Sequence, residues 1–202
     1  MNMLIDVLPE NVEIDGEEYK INTDFRISIL FEMLIQDDSI SDEEKGKNAL
    51  SLYYPVIPIN TTVAIDKIIW FYSCGKKEND INDSCQSGAG GSSKGQIYSY
   101  DHDDEYIYSA FLGQYGIDLQ DIEKLHWWKF KALFKSLKED TEIVKIMGYR
   151  AMDISGDMPK AQKDFYRKMK KIHAIPLPKN EVEKINEIER ALLNGGDISN
   201  LL

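Results

Sequence analysis

Basic residues are the minority in this chain. Lys and Arg number 24 against 35 Asp and Glu, for a formal net charge of -11 and an isoelectric point near 4.8. An acidic surface repels phosphate backbones, which argues against a general nucleic-acid partner. Long apolar runs are missing as well. None approaches the ~20 residues needed to span a bilayer. The stretch Met1-Asn2-Met3-Leu4-Ile5-Asp6 has neither the basic n-region nor the apolar h-region of a secretory signal. We therefore expect no membrane partner and no export.

Cysteine is scarce, with two residues in 202. Without an export signal both are expected to be reduced thiols inside a cell. Cys74 and Cys85 stand eleven positions apart, with His102 the nearest imidazole. A zinc site uses four ligands, generally with CxxC-type spacing, so this spacing argues against a metal. His126 has no Ser or Cys nucleophile beside it in the sequence, and nothing here points to a catalytic triad. Gly88, Gly90, Gly91 and Gly95 fit neither GxxxxGK[ST] nor GxGxxG, and no apolar strand precedes them. No cofactor, no metal and no catalytic residue is expected.

What the chain does have is enough apolar residue, 43%, to build a core. Its most apolar helical pattern runs from Leu125 to Phe134. Trp127, Phe130, Leu133, Phe134 and Leu137 recur at spacings of three and four, one face of a helix carrying heavy aromatics. Trp127 and Trp128 point about 100° apart on such a helix. Either both are packed between neighbours, or Trp128 is a partly exposed anchor for a partner.

Around this helix the sequence predicts a mainly α fold with a small N-terminal β-hairpin. Val12-Glu13-Ile14 and Tyr19-Lys20-Ile21 flank Asp15-Gly16, a two-residue turn signal. Helices are predicted from about Asp24 to Gln36, with Ile27, Leu30, Phe31 and Leu34 inward, and from Ser41 to near Leu52. Thr61 or Thr62 caps a third, with Ile65, Ile68, Ile69 and Tyr72 inward, which Cys74-Gly75 ends. Asp101 to Tyr115 reads as a helix with Ile107, Ala110 and Phe111 inward, its acids a charged first turn. Asp118 is taken to cap the central helix. Asp140-Thr141 caps the next, which turns Ile143, Ile146 and Met147 inward.

One mainly helical domain is expected over residues 1–178. A Gly/Ser-rich loop interrupts it at about 76–96, and a C-terminal helix or tail occupies 179–202, with Val182, Ile185, Ile188 and Leu192 at helical spacing from Asn180 to Leu193. A basic amphipathic helix runs from about Pro159 to Ala174. Met158, Gln162, Phe165, Met169 and Ile172 make a narrow stripe, and Lys160, Lys163, Arg167, Lys170 and Lys171 occupy much of the rest. It either closes its own core or docks on something else. The candidate partner-binding residues are Trp128, Lys163, Phe165, Arg167, Met169, Lys170 and Ile172.

Several ordered motifs carry a resemblance. They are Asn22-Thr23-Asp24-Phe25-Arg26, Trp70-Phe71-Tyr72-Ser73-Cys74-Gly75-Lys76, Tyr98-Ser99-Tyr100-Asp101-His102-Asp103, Gln114-Tyr115-Gly116-Ile117-Asp118-Leu119, Leu125-His126-Trp127-Trp128-Lys129-Phe130, Gly148-Tyr149-Arg150 and Tyr166-Arg167-Lys168-Met169-Lys170-Lys171. Together, from about Val12 to Ala174, the chain resembles the bacteriophage gp-fifteen family of siphophages and prophages of Gram-positive hosts. That resemblance implies a non-catalytic tail assembly chaperone. It would bind and solubilise the tape-measure protein and recruit major tail (tail-tube) subunits, with homo-oligomers possible. It would act in the host bacterial cytoplasm and be absent from the mature virion. The alternative is a structural tail or head-tail component retained in the particle.

Overall fold

The dipeptide Asp15-Gly16 turns the chain back on itself with φ of 54° and 84°. Both values lie in the left-handed region, the signature of a two-residue hairpin turn whose twist matches its strands. Strands β1 (Asn11–Ile14) and β2 (Glu17–Lys20) pair antiparallel, with Ile14 opposite Glu17 and Val12 opposite Tyr19. A computed structural model describes residues 2–76 and 96–176. The Gly/Ser-rich stretch with Cys85, and the predicted helix from Asn180 to Leu193, lie outside the described residues.

Seven helices follow among the described residues: α1 (Phe25–Gln36), α2 (Asp42–Tyr53), α3 (Thr61–Tyr72), α4 (Asp104–Tyr115), α5 (Trp127–Lys135), α6 (Glu142–Ala151) and α7 (Lys160–Ile172). The protein is mainly helical with a small N-terminal hairpin, as the sequence predicts.

The starts of α1 and α5 are stitched together. Asp24 caps α1 by accepting the Arg26 N–H, and its other carboxylate oxygen accepts the Leu125 N–H at 3.1 Å. His126 caps α5 by accepting the Trp128 N–H at its Nδ1. Asp24 and His126 form an antiparallel bridge, with the Phe25 N–H donating to Leu125 O and the Trp127 N–H to Thr23 O. Each cap thus satisfies orphan donors of its own helix while the backbone ties the two helices side by side. Asp118, expected to cap this helix, instead accepts the Gln120 and Asp121 N–H groups and so holds its own turn before α5 begins. With Nδ1 accepting, the remaining proton of His126 sits on Nε2, 3.1 Å from Pro9 O. Burial lowers its pKa, in keeping with a neutral ring.

Phe130 of α5 is the hub of the core. Phe25, Phe111, Trp127 and Phe134 all lie nearly parallel to it, with centroids 4.9–6.2 Å away. Offset stacks of this kind add to the area such rings bury. Other inward faces differ from the predicted stripes. In α3 the buried residues are Ala64, Ile68 and Phe71, whereas Ile69 is exposed, and Asn60 rather than a threonine is the cap. In α1, Leu30 is exposed while Ser28 and Glu32 are buried. Those two polar groups face hydroxyls from other helices: Ser28 pairs with Tyr53 at 2.8 Å, and Glu32 accepts from the Tyr72 hydroxyl.

Candidate partner-binding surface

The two tryptophans of α5 are both buried, and for one reason. The last carbonyls of a helix have no partner within it. Helix α3 ends against α5, so the Trp127 Nε1–H donates to Tyr72 O at 2.8 Å and the Trp128 Nε1–H to Phe71 O at 2.7 Å. The chain then leaves α3 through Cys74 and Gly75, both left-handed. The Cys74 N–H bonds Phe71 O and the Gly75 N–H bonds Trp70 O, the paired closure of a Schellman motif. A methyl at Gly75 would stand 3.1 Å from the Trp128 ring, so glycine also makes room for that indole. Trp128 is 2% exposed. This corrects the idea of Trp128 as an exposed anchor, since its ring and its donor are both spent inside the protein.

The remaining predicted contact residues share one helix, with Phe165, Met169 and Ile172 on one side of it and Lys163, Arg167 and Lys170 on the other. Lys163, Phe165, Arg167, Met169, Lys170 and Ile172 all belong to α7, which has no buried residue. Phe165 is 48% exposed and Ile172 58%, with Met169 half-buried between them on the same face. The helix rests on α6 through Tyr149, which meets Phe165 edge-on at 6.1 Å and stacks on His173 at 5.8 Å. Lys163 bonds Gly156 O, and Arg167 pairs loosely with Asp164 at 3.7 Å. Among the described residues no ion pair engages Lys170 or Lys171. Thirteen residues thus carry six cations and one anion on a chain of charge -11.

Sequence reasoning missed the group that holds α7 in place. Arg150 reaches from α6 to the Asp103 carboxylate, to Ile97 O at 3.0 Å and to His173 O at 2.6 Å. Asp103 sits in a run of acids that reads as an exposed first turn, and nothing in its neighbours marks it as the buried one. A second feature also went unseen, a cleft of about 600 Å³ beside α1 and α4. Phe25, Ile29, Tyr100, Ile107, Leu119 and Phe130 line it, with Asp104 and Glu105 among its polar lining. Toward the C-terminal end of α1, Leu30 and Met33 line a groove with Leu52 of α2, Ile175 and Pro176.

Among the described residues no three His, Cys, Asp or Glu side chains converge as a metal site. None of the described helices is long and apolar enough to cross a membrane.

No curated protein and no solved structure matches this chain. A family model does match, the one described as "Bacteriophage Gp15 protein", over residues 4–175. That span takes in every described helix and leaves out most of the C-terminal stretch. The chain therefore belongs to the bacteriophage Gp15 family, a family of phage structural or assembly proteins.

Proposed function

We propose that the protein is a non-catalytic tail assembly chaperone. It binds the tape-measure protein along exposed helical faces, keeps it soluble and recruits tail-tube subunits. It works in the host cytoplasm and is left out of the finished virion. The observation that carries this reading is α7. A phage assembly protein displays a helix with no buried side chain, a half-exposed Phe165–Met169–Ile172 stripe and a cationic flank. An amphipathic helix of this kind pairs with an apolar helix or groove of opposite charge. Lys163, Phe165, Arg167, Met169, Lys170 and Ile172 are the proposed contacts.

The test is co-expression of the tagged chain with the tape-measure protein of the same phage. We expect the tape measure to stay soluble and to co-purify. We expect Phe165→Ala with Ile172→Ala to lose it while the chain itself stays folded. A tape measure that behaves identically with and without the chain would sink the proposal. Mass spectrometry of purified virions separates the structural alternative, which requires the chain in fixed ratio to the tail-tube protein.

A further inference from the structure

The cleft beside α1 and α4 and the outer face of α7 are complementary. The cleft floor is apolar, built from Phe25, Ile29, Ile107, Leu119 and Phe130. Its rim is acidic. Asp104 and Glu105 line it directly and are exposed, and Asp118 accepts from the hydroxyl of Tyr108, another lining residue. Arg26, the lining cation, is already engaged by Asp24 and by the carbonyls of Leu119 and Ile122 at 2.8 and 3.0 Å. Among the described lining residues no unengaged cation therefore offsets these acids towards a visitor.

Helix α7 offers the reverse. Phe165 and Ile172 project an apolar stripe, and the exposed Lys168 and Lys171 flank it on one side of a helix roughly 20 Å long, at 1.5 Å per residue. In its own chain α7 is held on α6 by the Tyr149 contacts and by the bond from Arg150 to His173 O.

We propose that the cleft receives α7 of a second copy of the chain, so that copies associate head to tail. This rests on the reading of α7 as a docking helix, and it gives that helix a second occupant. Donor and acceptor are different surfaces, so the contact is heterologous and leaves a free cleft and a free α7 at the ends of each assembly. The same α7 face serves the tape measure and the neighbouring copy. Self-association therefore shields the apolar stripe until a target displaces it, and the two kinds of binding compete.

Sedimentation velocity on the full chain tests this. The wild type should associate with concentration and dissociate as salt rises, since the rim and the flank are exposed charges. Lys168→Glu with Lys171→Glu, and separately Asp104→Lys with Glu105→Lys, should each weaken association about tenfold or more. The decisive arm mixes these two variants. Each is weak alone, yet every α7 in the mixture finds a cleft of opposite charge, so association should return. If first-turn lysines at 104 and 105 unfold the chain, Phe165→Ser on the exposed face carries the test and should weaken association alone. A wild type that stays monomeric at all concentrations, or a mixture that stays monomeric while both variants are folded, overturns the proposal. A monomer that still holds the tape measure sinks this inference and spares the chaperone reading. An associating chain that ignores the tape measure does the opposite.

Discussion

Arg150 and Asp103 meet through two hydrogen bonds, 2.5 Å from Nη1 to Oδ2 and 2.9 Å from Nη2 to Oδ1. Asp103 is 1% exposed, and it also accepts the Ser99 N–H at 2.8 Å. A two-pronged guanidinium–carboxylate pair of this kind is both directional and charge-assisted. It joins the start of α4 to the end of α6. Through Ile97 O and His173 O it also gathers the chain before α4 and the end of α7.

Breaking this pair should be costly, because the partner left behind is a buried charge. Arg150→Met should lower stability by ~3–5 kcal/mol in urea unfolding. Arg150→Lys keeps the charge but loses the fork, and its loss should fall between zero and that of Arg150→Met. A loss below ~1 kcal/mol for Arg150→Met would mean that water reaches the site and that the pair is not a brace.

The tryptophans should behave alike. Each is buried, and each indole N–H ends a carbonyl of α3. Trp127→Ala and Trp128→Ala should each cost ~3–5 kcal/mol. Trp127→Phe and Trp128→Phe keep most of the apolar volume and each lose one indole bond to the end of α3, for ~1–3 kcal/mol each. Trp128→Phe should fall at the low end, because Phe71 O keeps the Cys74 N–H. A Trp128→Ala variant at wild-type stability would return that ring to the role of a surface anchor.

These residues also mark where the sequence stops being informative. The 3.6-residue period located α5, and the Asp-Gly turn located the hairpin, because both signals are local. The same period placed Leu30 of α1 inward, where it is exposed, and gave no sign that Ser28 and Glu32 are buried. What draws Glu32 inward is the hydroxyl of Tyr72, forty positions away, and what buries Ser28 is Tyr53. The Arg150–Asp103 pair spans 47 positions in the same way. Helix α7 was legible from its stripe and charges. Whether anything covers that stripe depends on the rest of the fold, where among the described residues Tyr149 of α6 meets Phe165. The cleft has no sequence signature, since its walls come from α1, α4, α5 and the turn at Leu119.

Glu32 should make stability depend on pH. Burial pushes its carboxyl above the usual 4.5, against the pull of the Tyr72 hydroxyl and the Lys131 ammonium. The folded state therefore holds this proton more tightly than the unfolded chain. The stabilisation is complete below pH 4.5 and is lost as pH rises through the higher folded value. Glu32→Gln fixes the side chain neutral and should remove that decline. Urea unfolding across about pH 4–8 should then show the variant gaining on the wild type as pH rises. A constant difference across that window would show that the carboxyl does not titrate there.

Two phenylalanines separate a docking helix from a core helix. Phe165 and Phe111 are the same residue type in opposite settings. Phe111 is fully buried and stacks on Phe130 at 4.9 Å, whereas half of Phe165 faces solvent and its ring contacts are Tyr149 and Tyr166. Phe111→Ala removes a ring from the aromatic hub and should cost ~3–5 kcal/mol. Phe165→Ala uncovers little that was dry and should cost no more than ~1.5 kcal/mol. Measured together in urea, the two losses should differ by at least about 1.5 kcal/mol. If they are equal, α7 is part of what holds the fold together. Loss of tape-measure binding or of self-association in α7 variants would then report unfolding, and both proposals built on that face would lose their footing.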